Sequence, residues 1–143
     1  MYHKIIVVGN LGRDPEMRYM PDGTPVTNFS MASSRRWTDR QSGEQREETV
    51  WFRVAVWRQQ AEAVNQYLRK GSQVLVEGRL RPDSETGGPR LYTRQDGTVG
   101  ASYELNAITV QFLAGRDTTG FEGDFEGGAA DEGPVEEEDD IPF

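Results

Sequence analysis

Two tryptophans and an arginine share one parity in the segment Thr49-Val50-Trp51-Phe52-Arg53-Val54-Ala55-Val56-Trp57. In a β-strand, successive side chains point to opposite faces. Val50, Phe52, Val54 and Val56 then form one face, which reads as core. Thr49, Trp51, Arg53, Ala55 and Trp57 form the other. An aromatic ring offers a flat platform to a nucleobase, and a guanidinium offers charge to the phosphate beside it. Such a face suits sequence-tolerant binding of a single strand. The competing reading buries both faces and makes the tryptophans ordinary core. Arg53 weighs against it, because an unpaired buried arginine is costly.

All three tryptophans lie between residues 37 and 57. Trp37 follows Arg35-Arg36 and precedes a polar loop of mixed charge from Thr38 to Arg46, which places it near a hairpin tip. With Arg40, Arg53 and Arg58, this region holds a dense set of cations around its aromatic rings. Arg90-Leu91-Tyr92-Thr93-Arg94 repeats the arrangement later in the chain. The candidate nucleic-acid contacts are therefore Trp37, Trp51, Trp57 and Tyr92, with Arg35, Arg36, Arg53, Arg58, Arg90 and Arg94.

The residue inventory argues against an enzyme. There is no cysteine and one histidine, His3. Thiol chemistry, disulfides and zinc ribbons are thereby excluded, and no ligand-spaced cluster for a metal stands in the body of the chain. Val8-Gly9-Asn10-Leu11-Gly12-Arg13-Asp14-Pro15 has two glycines but lacks the Lys-Ser/Thr of a phosphate loop, and reads as a turn region. No cofactor is implied.

The elements that must carry these side chains are mainly strands. Ile5–Val8 is apolar and β-branched, ending at Gly9-Asn10. Pro25–Trp37 and Glu48–Trp57 follow. Gln59–Arg69 is the one helix candidate, with Ala61, Val64 and Leu68 on a face and Gly71 as a left-handed stop. Gln73–Arg81 is a strand with Val74, Val76 and Leu80 on one side. Asp96-Gly97 between Leu91–Arg94 and Val99–Tyr103 signals a hairpin, and Ser102–Leu113 closes the series. This order fits a mostly β fold, a five-stranded Greek-key barrel of OB type with one helix and a late hairpin.

Charge divides the chain. Residues 117–143 hold 11 acidic residues and no Lys or Arg, whereas residues 1–116 hold 16 basic and 13 acidic, a net of +3. A basic body with an acidic end suggests nucleic acid for one part and a protein partner for the other. The sequence predicts an ordered domain over 1–115 and a disordered acidic tail over 116–143, too Gly-rich and too poor in aliphatic residues to offset its ordering entropy. Its end, Asp139-Asp140-Ile141-Pro142-Phe143, joins charge to an apolar anchor and suits a partner pocket with an apolar floor and a basic rim. A merely solubilising acidic end is the plainer alternative. The short apolar run at Ile5 is no membrane span, and no signal-peptide pattern follows it, so a cytoplasmic location is expected.

Several motifs, in order, resemble the bacterial single-stranded DNA-binding protein family: Val8–Tyr19, Glu48–Val54, Tyr67–Gly78 and the terminal Asp139–Phe143. The resemblance spans about residues 2–114 and the last five. It implies an OB-fold homotetramer that wraps single-stranded DNA without strong sequence preference. The implied protein is nucleoid-associated and serves DNA replication, recombination and repair, docking partners through Asp139, Asp140, Ile141, Pro142 and Phe143. The family's stacking aromatics map onto Trp37, Trp51 and Trp57, the last where relatives commonly carry Phe. Tyr92 is the candidate for a late-hairpin Trp that this chain lacks. Phe52 stands where well-known relatives have a His linked to subunit contacts. Two other readings stay open at this point: an OB-type RNA chaperone or replication-restart accessory, and an adaptor whose tryptophans are core and whose tail alone is active.

Overall fold

A computed structural model describes residues 1–113, and the predicted acidic tail lies outside the described residues. The elements run β1 (Ile5–Leu11), β2 (Glu16–Tyr19), β3 (Pro25–Thr38), β4 (Gln45–Trp57), α1 (Gln59–Tyr67), β5 (Gln73–Arg81), β6 (Arg90–Thr93) and β7 (Val99–Phe112). Strand neighbours follow the order β1-β5-β7-β4-β3, and a short β1–β3 pairing at Asn10↔Ala32 and Leu11↔Met31 closes the ring. The result is a five-stranded OB-type barrel, as the sequence implies. One pair, β4–β7, is parallel; the others in the barrel are antiparallel. β2 adds to the edge of β3, and β6 pairs only with β7.

The barrel interior is filled from every wall. Val7, Leu11, Phe29, Met31, Phe52, Val54, Val56, Val74, Val76 and Leu105 form one buried cluster, and Val64 and Leu68 enter it from α1 and its end. The helix is tied to the sheet by Thr27, whose buried hydroxyl donates to the Ala61 carbonyl at 2.6 Å. Closure needs close backbone approach. A Cβ on Gly9 would collide with the Ala32 carbonyl, and one on Gly78 with the Asn106 carbonyl.

The structure departs from the sequence reading at several points. β1 does not stop at Gly9-Asn10 but continues to Leu11, so the segment read as a turn is strand as far as Leu11 and leaves the strand only from Gly12. β2 has no counterpart in the sequence reading; its side chains are mostly exposed and carry no apolar alternation. Val50 is 39% exposed rather than core, and Leu80 is 40% exposed while Val74 and Val76, read on the same side, are buried. Val50 pairs with Ser33 where β3 and β4 run on beyond the barrel as a two-stranded ribbon. Leu80 lies past a register shift at Glu77/Gly78, where β5 leaves the core. The helix ends at Tyr67, with Leu68 already extended. Gly71 does hold a left-handed φ of 88°, but in the following turn. The late hairpin turns at Gly97, φ 87°, as expected. Its second arm and the closing strand are, however, a single 14-residue β7.

Candidate nucleic-acid interface

The β4 alternation is borne out where the strand crosses the barrel. Phe52, Val54 and Val56 are buried, while Trp51 is 54% and Trp57 37% exposed, which removes the reading of these tryptophans as core. Cross-strand partners share a face, so the ladders extend this line into a surface. Trp51, Arg53 and Ala55 pair with Ala32, Ser30 and Asn28 of β3. On the other side Arg53 and Ala55 align with Glu104 and Asn106 of β7. Arg81 pairs with Glu104, and Arg90 and Tyr92 with Ser102 and Gly100.

Three hollows follow one another along β4. At one end Trp51 and Tyr92 line a cavity of about 410 Å³ with Arg13, Ser30 and Arg53. In the middle Arg13, Arg18, Arg53, Arg81 and Arg90 surround a groove of about 310 Å³. At the far end Trp57 and Arg58 meet Met20, Pro21 and Thr24 around a cavity of about 630 Å³. Arg13 and Arg53 belong to the first two hollows, so aromatic and cationic side chains interleave across those two, while the third shares no lining residue with them.

The charges are partly balanced in the free protein. Glu104 takes the Arg90 guanidinium at 3.4 Å, and Glu16 lines the same groove. Arg94 stands 5.6 Å from the Tyr92 ring centre and donates to the Val99 carbonyl. Arg35 and Arg36 pair across the ribbon with Glu48 and Glu47, each at 3.3 Å, and all four side chains are exposed. Such exposed pairs are weak, about 0–1 kcal/mol, and leave both arginines able to exchange partners.

Trp37 and Arg58 differ from the rest. Trp37 pairs with Arg46, which puts it on the register face of Glu48 and Val50 rather than that of Trp51. It lies on the ribbon beyond the barrel, with the Arg35 guanidinium 4.7 Å from its ring centre. Arg58 holds φ 62° and ψ −133° between β4 and α1, a conformation that costs a non-glycine residue about 1–3 kcal/mol. Its N–H donates to the Pro25 carbonyl at 2.9 Å, which fixes the turn beside Trp57.

Sequence reasoning missed Arg13, Arg18, Arg81 and Glu104. The first stands in a segment that reads as a turn, the second in the unheralded β2, and the last two reach the site through non-local pairing. Among the described residues no cluster of ligands for a metal ion is found. No helix there is long and apolar enough to cross a membrane.

A closed five-stranded barrel with one helix and an exposed aromatic and arginine track on its outer wall defines an OB-fold protein of the strand-binding type. The chain belongs to the single-strand binding protein family, whose model matches residues 2–113. A solved structure of the Plasmodium falciparum SSB in complex with ssDNA is similar, at 27% identity and a TM-score of 0.64, over 80% of this chain and 97% of that one.

Proposed function

We propose that this protein binds single-stranded DNA without strong sequence preference, stacking bases on Trp51, Trp57 and Tyr92 and holding phosphates with Arg53, Arg58, Arg90 and Arg94. Trp37, Arg35 and Arg36 extend the contact along the ribbon. The observation that carries this is the placement of Trp51, Arg53 and Trp57 on one exposed line of β4, flanked by further arginines. Each ring presents a π-face that any base can use, and hydrogen-bond readout of base edges is not required. The strand so held is protected during replication, recombination and repair in the cytoplasm. The chemistry is binding alone, with no catalytic step.

Titration with oligo-dT, read by tryptophan fluorescence, tests this. Stacked indoles are quenched; an unchanged signal with no complex formed overturns the reading. Oligo-U at matched length separates DNA from the RNA-chaperone alternative.

Two further parts of the reading rest on the family and on composition. The body, residues 1–115, assembles as a homotetramer; the exposed Ile6 and Val8 on the outer face of β1 support an association surface. Light scattering on a chain ending at Gly115 is expected to report an oligomer, and a monomer would refute it. The acidic end recruits replication, recombination and repair proteins through Asp139, Asp140, Ile141, Pro142 and Phe143.

A further inference from the structure

Gly9 and Gly78 face backbone carbonyls, but Gly12 and Gly100 face aromatic rings. A Cβ placed on Gly12 would lie 2.6 and 2.8 Å from Cζ3 and Cη2 of Trp51. One placed on Gly100 would lie 2.6 Å from Cζ of Tyr92, 2.8 Å from its hydroxyl and 2.9 Å from Nη2 of Arg94. Neither glycine is among those with a positive φ, so backbone conformation does not require glycine at either position. What requires it is the ring lying against it.

We infer that Gly12 and Gly100 are positioning residues for strand binding: each seats one aromatic ring, so that Trp51 and Tyr92 line one shared cleft as pre-set platforms. The inference rests on the strand-binding reading above and assigns roles to two residues outside it. Trp51 springs from β4 opposite the small Ala32 of β3, and its six-membered ring reaches Gly12, past the end of β1. The Gly12 backbone is held, its N–H donating to the Ser30 carbonyl at 3.0 Å. Tyr92 lies across the ladder on Gly100, its direct partner in β7. Aromatic side chains laid over strand glycines are a recognised way of fixing both. In each pair one part of the ring is occupied by the seat, while Trp51 stays 54% and Tyr92 42% exposed. The remaining ring surface is what a base can use. A ring held in place before binding loses less freedom when the base arrives.

The two kinds of glycine predict different failures. A methyl at Gly9 or Gly78 strikes backbone, and the barrel must deform. A methyl at Gly12 or Gly100 strikes the far end of a side chain, and the ring moves while the fold stays. Gly12→Ala is therefore a lesion in the platform.

A double-mutant cycle on the full chain tests this with oligo-dT as ligand. Gly12→Ala is expected to weaken binding about five- to tenfold, a large share of what one stacked base contributes. It is expected to add nothing when Trp51→Ala is already present. In a Trp51→Phe chain, whose shorter ring does not reach the seat, Gly12→Ala is expected to change affinity less than about twofold. A free-protein readout accompanies these: with Trp37→Phe and Trp57→Phe leaving Trp51 as the sole indole, Gly12→Ala should shift its emission and near-ultraviolet dichroism. Gly100→Ala with Tyr92→Ala forms a second cycle with the same expectation, run in an Arg94→Gln background because Arg94 Nη2 also meets that methyl. The inference is overturned if Gly12→Ala weakens binding equally with and without Trp51, because Gly12 then meets the strand itself. It is also overturned if Gly12→Ala is silent while Trp51→Ala is not. If Trp51→Ala itself leaves affinity unchanged, the stacking role of Trp51 falls first, and the seat loses its function with it.

Discussion

Glu104 receives Arg90 at 3.4 Å on the floor of the central groove and is the more buried partner, its side chain 12% exposed against 58% for Arg90. It is also the register partner of both Arg53 and Arg81. One carboxylate thus shares the groove lining with Arg53, Arg81 and Arg90, and under the proposed function it is expected to compete with a phosphate for them. Glu104→Gln keeps the shape and removes the charge. Oligo-dT affinity at low salt is expected to rise several-fold, and the logarithmic salt slope to steepen by about 0.7 for each additional phosphate held. Titrations at several salt concentrations check both; a weaker complex would mean that Glu104 orients Arg90 rather than restraining it.

The tryptophans are expected to differ in rank. Trp51 and Trp57 lie on the outer wall of the barrel, and a stacked base is worth about 1–3 kcal/mol by alanine substitution. Trp51→Ala and Trp57→Ala should each weaken oligo-dT binding by that amount with far-ultraviolet dichroism unchanged. Trp37 belongs to the opposite register face of the β3–β4 ribbon. Its loss is expected to cost less with short oligonucleotides and to grow with lengths that reach the ribbon. Equal losses at every length would place all three rings on one path.

Which of these relationships could be read from the chain follows from their range. The alternation along β4 is local, so Trp51, Arg53 and Trp57 separate from Phe52, Val54 and Val56 without any knowledge of neighbours. The Asp96-Gly97 turn is likewise local. Val50 and Leu80 obey the same alternation but lie where the ribbon and β5 leave the barrel, and the point of exit is a tertiary property. Arg13, Arg18, Arg81 and Glu104 come from four separate segments, joined only by the ladders of β2, β5 and β7 or by the loop after β1. Gly12 looks in sequence like any turn glycine; its role depends on a ring that is 39 positions away and reaches it from β4.

Arg58 offers a test in which stability and binding move oppositely. Its φ of 62° favours glycine. Arg58→Gly relieves about 1–3 kcal/mol of strain and gives back roughly 0.5–1 kcal/mol in unfolded-state entropy. The urea midpoint is therefore expected to rise. Oligo-dT affinity is expected to fall and its salt slope to flatten, because a cation beside Trp57 is lost. Lower stability would show that Arg58 packs rather than strains, and unchanged affinity would remove it from the interface.

The turns respond to acid. Asp96 accepts the Thr98 hydroxyl and N–H, which hold its carboxyl below the ordinary value of 3.8. Asp39 is lowered by the N–H groups of Gln41 and Ser42, and Asp83 by those of Glu85 and Thr86. A carboxyl whose folded pKa is depressed stabilises the fold above its unfolded value and ceases to as pH falls through the folded one. The β3–β4, β5–β6 and β6–β7 turns should hold at neutral pH and loosen below about pH 4, in step with protonation. Amide shifts of Gln41 and Thr98 followed against pH would report it. Asp96→Asn keeps an acceptor but does not titrate, so the Thr98 profile should flatten; a profile unchanged by that substitution would assign the transition elsewhere.

The acidic end is expected to bear on DNA binding through its charge. Residues 117–143 hold 11 acidic side chains, whereas residues 1–116 carry a net charge of +3. At low ionic strength these acidic side chains are expected to compete with phosphates for the arginines of the body, and salt that shortens the Debye length is expected to weaken the competition. Deleting 117–143 is therefore expected to strengthen oligo-dT binding most at low salt, the difference shrinking towards physiological strength, where the Debye length is about 8 Å. Removing Phe143 alone keeps every acidic side chain but takes away the apolar terminus. DNA affinity should then hardly change while docking of replication and repair proteins fails. A tail deletion that leaves low-salt affinity the same, or lowers it, would refute the competition. A Phe143 deletion that leaves every partner bound would reduce the end to a solubilising segment.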